Sequence, residues 1–145
     1  MSRSRYSKGL LGLLLKKTSN NEAYRWLSEP RWYLWEGGFF LLARADGVVP
    51  AHAHHAIQIV VASDGEVAIC GENEEWRKGP AVIVRPDAVH SFSPNGALGA
   101  MLFVDPESVE GTWLGSSLKR DITIVSGSRL ASCVQEVRRF MDHPV

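Results

Sequence analysis

Four side chains in this 145-residue chain have the types and spacing to hold a metal ion or a small polar ligand: His52, His54, Gln58 and His90. His52 and His54 are two residues apart and Gln58 lies four further on. On an extended backbone all three share one face. His90 belongs to a different predicted strand, behind the turn Arg85-Pro86-Asp87. If the two strands face each other, three imidazoles and one amide converge. Neutral imidazoles are good ligands for Zn, Fe, Ni, Mn or Cu ions. The same groups also suit hydrogen bonding to one another, or the lining of a pocket for an organic ligand. His55 has the opposite parity and is expected outside. His143, beyond the last predicted element, is expected in solvent.

The elements that must position these groups read as short strands. Residues 32–43 form two predicted strand pieces bent at Gly37-Gly38. Further strands are expected at residues 55–62, 66–70, around Trp76, and at 81–84, 89–93, 98–104 and 122–125. Turn residues such as Asp46-Gly47, Ser63-Asp64-Gly65 and Pro94-Asn95-Gly96 separate them. Many short strands between Gly, Pro, Asn and Asp argue for an all-β sandwich or barrel. Tyr24 to Leu27 is expected to close a short helix that Pro30 ends. At the other end, Leu130, Val134, Val137 and Met141 recur at helical spacing. They predict an amphipathic helix over residues 128–142, capped by Ser126 or Ser128.

One strand carries a second signal. Ile57, Ile59 and Val61 occupy the outward parity and are all apolar, where a strand facing water should alternate. That face is expected to be covered by the C-terminal helix, by the Trp-rich N-terminal strands or by a second copy of the chain. Of the five tryptophans, most are expected in the core.

Composition sets outer limits. Hydrophobic residues make up 45% and charged residues 22%, an ordinary balance for a globular domain. The length suits a single domain over residues 1–145. Lys+Arg and Asp+Glu balance at 16 each, so the chain is not expected to grip phosphates by itself. Cys70 and Cys133 form no CxxC pattern and are expected as reduced buried thiols of a cytoplasmic protein. The leucine-rich run at residues 9–15 is bounded by Lys8 and by Lys16-Lys17. It is too short to span a bilayer, and no membrane association is expected. Residues 1–28 are expected to form an arm or a short helix.

The spacing of the histidines resembles the two motifs of the cupin family. The first has Gly, His-x-His, an acidic residue and Gly, where this chain has Gly47, His52-Ala53-His54, Gln58 and Gly65. The second has Gly, Pro-x-Gly, His and Asn, where this chain has Gly79, Arg85-Pro86-Asp87, His90 and Pro94. The resemblance covers residues 30–125. It implies an all-β double-stranded β-helix (a jelly-roll barrel), followed here by the C-terminal α-helix. It also implies one divalent transition metal, Zn, Ni, Fe or Mn, on His52, His54, Gln58 and His90, with the same residues lining a ligand site. Gln58 departs from the acidic ligand and brings no charge to offset a cation. That substitution counts against catalysis more than against binding.

A narrower resemblance runs through residues 52–65, 81–91 and 101–108. These are similar to the N-terminal sensing domain of AraC-type transcription regulators. The resemblance implies a small-molecule effector, a homodimer, and contact with DNA only through an attached domain. It implies no catalytic residue. The alternative is a stand-alone metal-dependent cupin enzyme of the dioxygenase or isomerase type.

Overall fold

The computed structural model describes residues 24–126, together with residues 135 and 139. Its strands are β1 (Arg25–Trp26), β2 (Arg31–Trp35), β3 (Gly38–Asp46), β4 (Val49–His52), β5 (Ile57–Ala62) and β6 (Val67–Gly71). They continue with β7 (Arg77–Gly79), β8 (Ala81–Val84), β9 (His90–Ser93), β10 (Leu98–Val104) and β11 (Ile122–Val125). A helix, α1 (Val109–Ser117), separates the last two strands. The strands form two antiparallel sheets. The larger runs β1-β3-β10-β5-β8-β11, with β2 also pairing β3, and the smaller runs β4-β9-β6-β7.

The inner faces of the two sheets make the core. Phe39, Leu41, Val60, Val82, Met101 and Phe103 come from the larger sheet, and Val49, Val67, Ile69 and Phe92 from the smaller. Alternation along each strand selects these residues: on β5, Val60 and Ala62 join the core while Ile59 and Val61 do not. The apolar outward parity of β5 is covered in part. Ile59 and Val61 pack with Ala81 and Val125 in a second cluster. Ile57 is fully buried, and its Cδ1 comes 3.9 Å from the Cβ position of Gly115 on α1. Gln135 and Arg139 are helical and exposed, as polar positions of the expected C-terminal helix. The rest of that helix, His143, Cys133 and the arm before Tyr24 lie outside the described residues. Cys70 is a free, half-buried thiol.

Several sequence expectations are corrected. The sheets face one another but do not close into a barrel, because no ladder joins β7 to β11. Gly79 of β7 packs against the side chain of Ile124, so side-chain contact takes the place of hydrogen bonding at that edge. Arg25 and Trp26 are strand rather than helix. They pair with Asp46 and Ala45, and the next two amides, Leu27 and Ser28, bond Arg44 O at 2.8 and 3.2 Å. The edge of β3 offered those amides partners that an isolated four-residue helix lacks. Only Trp26 and Trp32 pack on the core. Trp35, Trp76 and Trp113 are 42%, 47% and 77% exposed, and the short strand near Trp76 starts at Arg77.

Helix α1 was not expected. It is nine residues long, and its large apolar residues do not face the core: Val109 and Trp113, one turn apart, point to solvent while Gly111 is buried. A Cβ at Gly111 would collide with the backbone at Asp105, so the helix approaches the chain through its glycine. Ser108 caps it by accepting from the Gly111 amide at 2.9 Å. No helix among the described residues is long and apolar enough to cross a membrane.

Candidate metal and ligand site

The four candidate residues converge, by a route that differs from the expected one. His52 is the last residue of β4, and His54 sits in the loop before β5. Same-strand parity therefore does not align them; the bend between β4 and β5 does. His52 pairs across β4–β9 with His90, which pairs across β9–β6 with Gly71. Directly opposite residues of an antiparallel ladder point to one face. His52, His90 and the bare Gly71 thus form an inward row on the smaller sheet. Opposite them, Phe103, Gln58 and Val84 are in register on the larger sheet.

The imidazoles of His52 and His90 have ring centroids 4.4 Å apart, those of His54 and His90 5.0 Å, and those of His52 and His54 5.4 Å. One ligand nitrogen from each lies within 4.8 Å of the others. His90 and Gln58 are buried, with 1% and 3% of their surfaces exposed. Each Nδ1 has a backbone partner. His52 donates to Pro50 O at 2.8 Å, His54 to Ala56 O at 2.9 Å and His90 to Ala88 O at 2.8 Å. A carbonyl only accepts, so each Nδ1 carries the proton and each Nε2 keeps a free lone pair. Fixing the tautomer by an outer hydrogen bond is how proteins orient imidazoles toward a metal.

Gln58 ties the cluster together. Its amide Oε1 lies 3.0 Å from His54 Nε2 and 3.1 Å from His90 Nε2. In this orientation oxygen and nitrogen lone pairs face one another, and a cation between them relieves the repulsion. With the amide turned over, its NH2 donates one hydrogen to each imidazole. The cluster therefore suits both a loaded and an empty state. The donor set, three imidazoles and one amide, fits a divalent transition metal in ligand type. It falls short in charge, because every donor is neutral.

Burial holds the histidines neutral. It pushes His90 down to about 4, helped by the neighbouring His52 and His54, and it also lowers His52 and His54. His55 behaves oppositely. It lies outside the cluster, as expected, and its Nε2 and Nδ1 meet Glu107 at 2.6 Å and Asp87 at 3.2 Å. The Glu107 hydrogen bond, against a smaller burial effect, raises its pKa.

Asp87 and Glu107 are the residues that sequence reasoning missed. They are 32 and 52 positions from His55, and nothing local signals the contact. Asp87 occupies the position where the cupin motif has Gly, and it keeps the left-handed conformation with φ 63°. Its amide bonds His54 O at 2.8 Å, which anchors the histidine loop to the β8–β9 turn. Asp87→Gly is expected to change stability by less than about 1 kcal/mol, since relief at positive φ offsets an exposed ion pair. Asp87→Ala is expected to cost about 1 kcal/mol or more, for lack of either compensation. Urea unfolding of the two variants checks the order; an Ala variant as stable as Gly would refute it.

No family profile and no curated protein matches the chain. Solved structures do. AerE from Microcystis aeruginosa is 13% identical with a TM-score of 0.49, over 67% of this chain and 47% of that one. A RmlC-like cupin from Desulfovibrio desulfuricans is 16% identical with a TM-score of 0.43, over 63% and 97%. A cupin 2 domain-containing protein from Halorhodospira halophila is 14% identical with a TM-score of 0.42, over 84% and 85%. These are likenesses of fold alone. The ladders and the convergent histidines describe an all-β domain of two facing antiparallel sheets with a neutral three-histidine, one-amide cluster between them.

Proposed function

We propose that this chain is a sensing domain, of the kind found at the N-terminus of AraC-type regulators, whose signal is occupancy of the cluster at His52, His54, Gln58 and His90. One divalent transition metal, Zn, Ni, Fe or Mn, binds there, alone or with a small-molecule effector. Occupancy shifts the conformers of the end of β4 and the following loop, which carry His52 and His54, and through them an attached DNA-binding part. The chain acts as a homodimer and performs no catalysis of its own.

The observation that supports this reading is the neutrality of the cluster. Gln58 bridges His54 and His90, and each imidazole has a backbone partner, so the site is satisfied when empty. A sensor needs an empty state as well ordered as the filled one. A metal enzyme gains from the reverse, a carboxylate that keeps the metal in place.

The second reading, a metal-dependent dioxygenase or isomerase, draws on the three convergent Nε2 atoms, which would hold a Lewis-acidic metal next to substrate. In that case His52, His54 and His90 bind and orient, and the apolar Phe103 and Val84 exclude water.

Calorimetric titration of chelator-treated protein with Zn(II), Ni(II), Mn(II) and Fe(II) tests the metal. One equivalent is expected, with His90→Ala weakening it by a hundredfold or more. No uptake of any of the four would remove the metal from the proposal. Sedimentation equilibrium checks the dimer.

A further inference from the structure

We infer that Asp87 is the outer carboxylate of this cluster, supplying beside His54 the negative charge that Gln58 lacks. The inference rests on the metal reading above and goes beyond it.

The β8–β9 turn brings Asp87 to the cluster by its backbone. Its amide bonds His54 O at 2.8 Å, and the next residue, Ala88, offers the carbonyl that accepts from His90 Nδ1 at 2.8 Å. One dipeptide thus holds two of the three imidazoles. The left-handed φ of 63° gives the turn its shape. A position with that φ suits Gly or Asn as well as Asp. The Gly of the motif would make the same turn without a charge. The carboxylate is therefore an addition to the turn and not a requirement of it.

That charge reaches His54. Burial lowers the His54 pKa, while the hydrogen bonds to Gln58 and Ala56 and the charge of Asp87 raise it. Among the described residues no other carboxylate acts on His52, His54 or His90 in this way. Asp87 also meets His55 Nδ1 at 3.2 Å, but that imidazole is shared: its Nε2 makes the shorter contact, 2.6 Å, with Glu107. Two carboxylates face one imidazole, so the trio stays negative whether or not His55 is protonated. Arg85, the cation of the same turn, pairs with Asp121 at 3.8 Å. Asp87 is a positioning residue and not a ligand, because the close set of ligand atoms comes from the three histidines. It holds the His54 loop through its amide and stabilises a divalent charge through space. Its side chain is 69% exposed, so water screens that charge and keeps the effect modest.

The test is Zn(II) affinity at low and at high salt for the wild type, Asp87→Asn, Asp87→Gly and the control Glu66→Gln. Thermal unfolding without metal confirms that each is folded. Glu66 is exposed and precedes β6, at the end away from Gly71, which pairs with His90. Asp87→Asn keeps the turn and a side chain of the same size, and removes the charge. It is expected to weaken binding about fivefold at low salt, the scale of one charge several Å from a divalent ion with solvent between them. Asp87→Gly should weaken it about equally, and Glu66→Gln should change it by less than about twofold. High salt should narrow the difference between Asp87→Asn and the wild type, a response that a merely structural role of the turn would not show. If Asp87→Asn binds Zn(II) like the wild type, or is weakened equally at low and high salt, the charge role of Asp87 is overturned and the metal site stands. If the wild type binds none, the metal reading falls and this inference with it.

Discussion

Gln58→Glu should raise affinity for a divalent transition metal by about a hundredfold and lower the stability of the metal-free protein by about 1–3 kcal/mol. Both effects have one origin. Gln58 is 3% exposed and touches His54 and His90. A carboxylate there would bring full charge to a site whose other donors are neutral. With metal present, that charge attracts the cation at short range in a medium of low polarity. Without metal, it is buried against two Nε2 lone pairs that cannot donate to it. The protein must then protonate the acid or an imidazole, at a cost in stability. The wild-type amide avoids this by turning its NH2 toward both rings. Saturating metal would reverse the ranking, because a ligand at a hundred times its Kd adds about 2.7 kcal/mol to the folded state. Melting curves with chelator and with excess Zn(II) read both halves. Equal affinities in the two proteins would show that Gln58 does not face the metal.

The same residue shows what the sequence discloses. His52-Ala53-His54, Gln58 and His90 were legible as a convergent set because motif spacing is a local property; strand parity reached the same set although the bend between β4 and β5, not one shared strand, aligns them. The strand Leu98–Val104 was legible within its observed bounds, and β3 through its aromatic run at Phe39-Phe40, although it was expected to end at Ala43 and runs on to Asp46. What depended on distant partners was not. Arg25 and Trp26 look helical until β3 presents an edge to them. Val109–Ser117 has neither amphipathic period nor length to announce a helix, and its capping Ser108 is one serine among many. Trp35 and Trp113 carry the residue type of a core and lie outside it.

Acid should unfold the metal-free protein in a window set by His90. Its pKa is about 4 in the fold against an ordinary 6.5, so the unfolded chain binds the proton first as pH falls. The sign follows: the neutral, buried imidazole contributes its full share above pH 6.5, and that share disappears as the pH drops toward 4. The shift corresponds to about 3 kcal/mol, a large fraction of a small domain's stability. His52 and His54 are shifted the same way and deepen the loss. His55 works against it. Raised by Glu107 and Asp87, it stabilises the fold below 6.5 and ceases to do so as pH rises through its folded-state value. It is exposed, so solvent screens its contribution and the buried cluster dominates. Urea unfolding with chelator between pH 4 and 7.5 should show stability rising through this window and levelling above it. His90→Gln, neutral at every pH, should flatten most of the rise. An unchanged slope in that variant would mean that other groups govern the acid limb. Protons and metal compete for the same Nε2 atoms, so metal should be released over the same window. A site that empties in acid while the fold still survives near pH 5 would respond to pH and metal together, through one set of nitrogens.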